Sequence, residues 1–210
     1  MKDPAPLLQA ARLVAVLTIE HLDHALPLAR ALIQGGVRTL EITLRTQAAA
    51  EAAALIHAEC PAAHTGLGTV TTPAHLELAA RLGLPFAFSP GATPELLDEA
   101  RRLQVPFIPG IATPSELIAA LARGFTTVKL FPAEQLGGPA FLKSLAGPFP
   151  QVRFNPTGGI TPANMPAYLA LPNVLAVGGS WLAPQADIRA ANWPAITQRA
   201  RAAIAAIIQP

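Results

Sequence analysis

A chain of 210 residues that is 51% hydrophobic and 13% charged, with a formal net charge of +2, has enough apolar material for one sizeable buried core. No Lys/Arg cluster or basic stripe accompanies that small charge, which argues against nucleic acid as a partner. The single cysteine, Cys60, excludes an intramolecular disulfide and reads as a helix-end packing residue, and no apolar run reaches the ~20 residues that span a bilayer, so no membrane partner is expected.

The opening stretch, Met1 to Gln9, carries Asp3, Pro4 and Pro6 and lacks a long apolar segment. It reads as a short helix rather than a signal peptide, and a cytoplasmic setting is the default expectation. Short apolar runs then alternate with longer alanine- and leucine-rich runs. The short runs, read as eight strands, are Leu13–Leu17, Thr39–Thr43, His64–Thr69, Phe86–Ser89, Phe107–Pro109, Thr127–Phe131, Arg153–Thr157 and Val174–Val177. Most are continuously hydrophobic, as parallel strands covered on both faces should be. In the first intervening segment Leu22, Leu26, Ala29 and Ile33 fall on one helical face, which Gly35-Gly36 ends. Four later segments open with Thr72-Pro73, Thr93-Pro94, Thr113-Pro114 and Thr161-Pro162, each a threonine cap followed by proline at the first helical position. The expected fold is α/β: a single (β/α)8 TIM barrel domain over residues 1–210 with a short N-terminal helix. A doubly wound sheet, the main alternative, would carry a glycine-rich turn after the first strand, where Thr18-Ile19-Glu20 stands.

Ionisable residues inside the predicted strands are few. Alternation puts Thr127, Lys129 and Phe131 on one face and the aliphatic Val128 and Leu130 on the other, so Lys129 should point into the barrel. The chain has three lysines, and Lys2 and Lys143 fall at predicted surface positions. Burial disfavours the charged form of an amine, and a neutral amine is what a Schiff-base nucleophile requires. The structural alternative is a lysine buried against a carboxylate. Glu41, Thr43 and Arg45 share a face of the second strand. Arg45 would stand at the mouth, able to hold a carboxylate bidentately, and Glu41 deeper, able to act as a general base. Buried ion pairs are weak as pure stabilisers, which favours a functional reading over a structural Glu41–Arg45 or Glu41–Lys129 pair. Thr69 ends the third strand with its hydroxyl at the mouth, on the face of Leu67. Thr157-Gly158-Gly159 and Gly178-Gly179-Ser180 follow the seventh and eighth strands, where barrels of this type commonly bind phosphate through backbone N–H groups. His21 and His24 read as a solvated helix face, His57 and His75 as helix residues and His64 as the start of a strand away from the mouth. Trp181 and Trp193 read as packing residues. No metal site is assigned.

Seven stretches taken together are similar to one family. They are Gly35–Thr46, Gly66–Val70, Ser89–Pro94, Ile108–Pro114, Val128–Glu134 (Val-Lys-Leu-Phe-Pro-Ala-Glu), Phe154–Ile160 (Phe-Asn-Pro-Thr-Gly-Gly-Ile) and Gly178–Trp181. The chain resembles the 2-keto-3-deoxy-6-phosphogluconate aldolases, which often also act as 4-hydroxy-2-oxoglutarate aldolases. The resemblance implies a class I lyase needing no metal or other cofactor, commonly a homotrimer, that acts on a phosphorylated keto acid in the Entner–Doudoroff pathway. It carries the Schiff base to Lys129 and the acid–base role to Glu41. It assigns the pyruvate carboxylate to Arg45 and Thr69, the walls of the pyruvate pocket to Pro90 and Phe131, and the phosphate to Gly158, Gly159, Gly179 and Ser180; Thr157, ahead of the first glycine pair, counts among the substrate-binding residues. The same chemistry on the 4-epimeric phosphogalactonate, or a non-catalytic phosphate-binding or scaffold barrel, are the alternatives. Two positions depart from the family: Leu67, where alanine is frequent, and Asn155, where cysteine is frequent. Alternation places Leu67 inward beneath Thr69, on the pocket floor.

Overall fold

The computed structural model describes residues 2–208; of the predicted domain and opening segment, Met1, Gln209 and Pro210 lie outside the described residues. Helix α1 (Ala5–Ala11) precedes strand β1 (Leu13–Leu17). A 3-10 turn at Leu22–His24 leads into α2 (Ala25–Gln34), followed by β2 (Thr39–Thr43), α3 (Ala49–Glu59), β3 (His64–Gly68), α4 (Pro73–Arg81) and β4 (Ala87–Phe88). The chain continues through α5 (Pro94–Arg102), β5 (Phe107–Ile108), β6 (Gly110–Ile111), α6 (Pro114–Leu121), β7 (Thr127–Leu130), α7 (Gly138–Ala146) and β8 (Arg153–Phe154). It closes with α8 (Met165–Leu169), β9 (Val177–Gly179), α9 (Gln185–Arg189) and α10 (Trp193–Ile208).

Every strand pairing is parallel, as strands joined through helices must be. Six strands form one sheet in the order β5-β4-β3-β2-β1-β9, and β6-β7-β8 form a second. Parallel bridges Phe154–Val174 and Thr157–Gly178 link the β8 region to the segment around β9. Only Pro109 separates β5 from β6, and its carbonyl accepts from Lys129 N at 2.9 Å. The molecule is therefore an α/β fold in which a six-stranded parallel sheet alternates with helices along the chain.

Strand positions follow the predicted runs, with differences where proline and glycine intervene. Pro109 lacks an N–H, so the expected fifth strand stops at Ile108 and Gly110–Ile111 forms a separate piece. The seventh, expected to reach Thr157, ends at Phe154 ahead of Pro156, and Thr157 keeps a single bridge. The last strand was expected at Val174–Val177; its ladder runs instead over Val177–Gly179 against Leu13–Ala15, because glycines read as a loop are strand residues here.

Two helix expectations also need correction. The buried face of α2 is Ala25, Leu28, Ala29, Ala31 and Leu32, while Leu26 and Ile33 are half-buried against the larger core cluster and Leu22 lies in the preceding 3-10 turn. Thr93 Oγ1 accepts from Leu96 N, and Thr113 with Glu116 forms a full capping box. Thr72 has the extended backbone of a cap but accepts no such bond. After Thr161 a turn intervenes, in which Thr161 and Asn164 bond each other, before α8 begins.

Two apolar layers result from strand alternation. Leu13, Leu17, Leu40, Ile42, Val128 and Leu130 pack outward against the helices in the larger cluster. Val14, Phe86, Phe88 and Ile108 form a smaller inner cluster, joined by Leu8 of α1. Leu8 is fully buried, a contribution of ~1.5–3 kcal/mol that ties α1 to the strands.

Candidate active site

Lys129 stands on β7 with the backbone N–H of its strand engaged, so its long side chain starts from a fixed point on the inner face. Both Lys129 and Glu41 are buried, at 4% and 1% exposure, and Lys129 Nζ donates to Glu41 Oε1 at 2.9 Å. The Phe88 and Phe131 ring centroids lie 5.0 and 5.6 Å from Nζ, so aromatic faces take much of the space where water would solvate the amine. Glu41 Oε2 is buried with no partner among the described residues. A pair kept for stability alone would not leave a carboxylate oxygen bare in the interior. As a chemical device it makes sense: one oxygen holds the amine, and the other has its lone pairs open to a proton.

The room for Glu41 comes from β3. A Cβ on Gly68 would fall 2.3 Å from Glu41 Oε1, and one on Gly66 would run into the Phe86 ring. Gly66 and Gly68 therefore face inward, and Leu67 faces outward in the helix-side cluster with Leu40 and Ile42. The expectation that Leu67 forms the pocket floor is thus corrected. Glycines carry no side chain to reveal a face, and Thr69 misleads as a guide, because its φ of 59° takes it out of strand geometry. A β-branched residue in that left-handed region is strained by ~1–3 kcal/mol. Its hydroxyl accepts from Arg45 Nε at 3.1 Å, which places the exposed guanidinium at the mouth. The terminal nitrogens of Arg45 have no protein partner among the described residues.

A cavity of about 150 Å³ opens above the lysine, lined by Val16, Arg45, Lys129, Phe131, Thr157, Gly158, Gly159, Ile160, Gly178 and Ser180. A second cleft of about 460 Å³ continues outward past Gly159, Ile160 and Ser180 to Thr18, Thr161, Trp181 and Gln185. The geometry thus joins Lys129, Glu41, Arg45, Phe131, Thr157, Gly158, Gly159 and Ser180 in one place, with Thr69 held to it through Arg45. Pro90 follows β4 and packs by its backbone against Gly110; it lines neither cleft, and Gly178 rather than Gly179 faces the cavity. Gly158 and Gly159 have φ of 101° and 75°, a backbone that a side chain would strain, and it exposes their peptide groups to the cleft.

The family model for KDPG and KHG aldolase matches residues 5–199. The chain belongs to the KDPG and KHG aldolase family. A KHG/KDPG aldolase of Escherichia coli strain K12 is 48% identical over 198 residues, covering 94% of this chain and 93% of that protein. The crystal structure of KDPG aldolase from Legionella pneumophila, with pyruvate captured at low pH as a covalent carbinolamine intermediate, superposes with a TM-score of 0.93. It is 44% identical and covers 96% of this chain and 98% of its own. The 2-keto-3-deoxy-6-phosphogluconate aldolase of Zymomonas mobilis ZM4, solved with 3-phosphoglycerate, gives a TM-score of 0.90 at 41% identity, over 97% and 95% of the two chains.

The family motif through Glu134 has a structural basis that the sequence alone did not reveal. Glu134 Oε2 accepts from the Tyr168 hydroxyl at 2.6 Å and from Asn164 Nδ2 at 3.2 Å, and Asn164 Nδ2 also donates to the Gly159 carbonyl at 3.1 Å. Ala133 N and Glu134 N donate to the Thr157 and Gly158 carbonyls. These bonds fasten the glycine loop of this family member from behind. Burial, then the bond to Glu134, pushes the Tyr168 phenol above its ordinary range, so it stays a donor at physiological pH. The only sequence signal was an acidic residue four positions past the end of the lysine strand; Asn164 and Tyr168, thirty and more positions on, gave none. His24 stacks edge-on with His21 and Trp193, and Trp181 both packs on Gly179 and walls the outer cleft.

Proposed function

We propose that this chain is a class I aldolase that cleaves 2-keto-3-deoxy-6-phosphogluconate to pyruvate and glyceraldehyde 3-phosphate and also acts on 4-hydroxy-2-oxoglutarate. The observation that carries the reading is the buried Lys129–Glu41 pair at 2.9 Å beneath a cavity shared with the glycine loop. Lys129, as the neutral amine, attacks the C2 ketone, forming a carbinolamine. Loss of water gives the imine, whose protonated form is an electron sink. Glu41 takes the C4 hydroxyl proton, the C3–C4 bond breaks, and the aldehyde departs. The enamine left behind is protonated at C3, and hydrolysis frees pyruvate and the amine. Arg45, with Thr69 behind it, holds the substrate carboxylate at the mouth, Phe131 and Thr157 bound the pyruvate end, and Gly158, Gly159 and Ser180 receive the phosphate.

Borohydride trapping with pyruvate, read by peptide mass spectrometry, tests the reading. A reduced adduct on the Lys129 peptide supports it; folded protein with excess pyruvate and no adduct leaves a non-catalytic phosphate-binding barrel as the better account. Steady-state rates on phosphogluconate-, phosphogalactonate- and oxoglutarate-derived substrates then rank the three. Ser180→Ala is expected to raise KM for the phosphorylated substrate about tenfold, the loss of one hydrogen bond to a charged group, and to leave pyruvate trapping unchanged. Equal effects on both would move the phosphate elsewhere. Gly68→Ala is expected to lower kcat roughly 10- to 100-fold with an unaltered circular dichroism spectrum, since its methyl displaces Glu41. Normal kcat in that variant would mean that the position of Glu41 does not matter to the reaction.

The reading extends to a single domain closed as a full (β/α)8 barrel, which the bridges beside β8 and β9 support. It extends also to a homotrimer in the cytoplasm serving the Entner–Doudoroff pathway, which family membership supports. Light scattering at three times the 21.8 kDa chain mass checks the trimer.

A further inference from the structure

Asn155 is wholly buried and has no part in the steps above. Val128 of β7 pairs with Phe154 of β8, and Asn155 N donates to the Val128 carbonyl, so Asn155 stands beside Lys129 on the inward face. Its Nδ2 donates to Thr157 Oγ1 at 3.2 Å. Its Oδ1 is buried with no partner among the described residues. Thr157 lines the lysine cavity, and its hydroxyl lies where a Cβ on Gly178 would come within 2.2 Å.

A bare carboxamide oxygen in the interior is destabilising, and leucine has the same branched outline, with bulkier ends, without it. What the amide supplies is direction. A hydroxyl carries one proton and two lone pairs. With the Asn155 N–H seated on Oγ1, that oxygen is engaged as an acceptor on its inner side, and its proton is left for the cavity. No acceptor among the described residues takes that proton. Turning the amide over would hand the proton to Oδ1 and strand both amide N–H groups, the costlier arrangement.

We propose that Asn155 is a positioning residue that makes the Thr157 hydroxyl a hydrogen-bond donor aimed at the oxygens of the keto acid beside Lys129. The proposal rests on the aldolase reading, so pyruvate trapping on the unsubstituted protein is done first; failure there overturns that reading. The test proper is a cycle of Asn155→Leu, Thr157→Val and the double variant, each measured for kcat/KM and thermal midpoint. Asn155→Leu is expected to lower kcat/KM roughly three- to tenfold, the worth of one oriented neutral hydrogen bond, with a midpoint equal to or above the parent's. Thr157→Val should lose at least as much, and the double variant no more than Thr157→Val alone. Losses that multiply in the double variant overturn the proposal, because Asn155 then acts without Thr157. Unchanged kcat/KM in Thr157→Val overturns it as well. Should Asn155→Leu fail to fold, Asn155→Ala enters the same cycle, and Thr157→Val reads the hydroxyl by itself.

Discussion

Lys129→Ala is expected to lower turnover by at least about 10⁴-fold and to leave no borohydride adduct with pyruvate, as removal of a covalent nucleophile does. No other lysine can substitute: Lys2 and Lys143 are exposed, Lys143 on the outer helix α7. Near-normal turnover in this variant would end the Schiff-base mechanism. The same substitution has a second consequence. It strands the Glu41 carboxylate, 1% exposed, without its cation. Breaking a buried pair from one side costs ~3–5 kcal/mol, whereas replacing both members with apolar residues of similar size is often neutral or better. Lys129→Met combined with Glu41→Leu is therefore expected to regain the denaturant midpoint that Lys129→Ala loses, while remaining inactive. A double variant as unstable as the single one would show that the loss comes from packing rather than from the stranded charge.

Glu41→Gln is expected to slow cleavage ~10²- to 10⁴-fold, the usual worth of a positioned general base, while adduct formation with pyruvate survives. Glutamine keeps the size and an acceptor for Lys129 Nζ, so the amine stays in place. What it loses is a basic oxygen, and the unpartnered Oε2 is the one open to accept a proton. Rapid-quench measurement of cleavage beside trapping separates the two steps. If trapping falls as far as cleavage, Glu41 serves the amine and another group takes the C4 hydroxyl proton.

Much of the site was legible because charge inside a strand is conspicuous. Lys129, Glu41 and Arg45 could be placed on one face of their strands by alternation; in the structure Glu41 holds Lys129 by a hydrogen bond from below, and Lys129 and Arg45 line one cavity. Alternation failed at β3 for a physical reason. Gly66 and Gly68 own the inward positions, and their contribution is the absence of atoms, filled by Phe86 and Glu41 from neighbouring strands. The positive φ of Thr69 then broke the period that would have exposed the error. Asn155 stood out in the sequence only as a departure from a family, and its partner Thr157 two residues on became visible with the side chains in place.

The sequence by itself determined the alternation of strands and helices, the parallel pairing that follows from it, and which of the three lysines lies inside a strand. Each depends on local periodicity or on a residue type that is rare in its surroundings. Tertiary structure decided which strands meet, that Lys129 reaches Glu41 across 88 positions of chain, and that Glu134, Asn164 and Tyr168 lock the glycine loop. Those contacts join residues remote in sequence, so they exist only once hydrophobic burial has driven the sheet and its helices into one packing, and no local pattern encodes them.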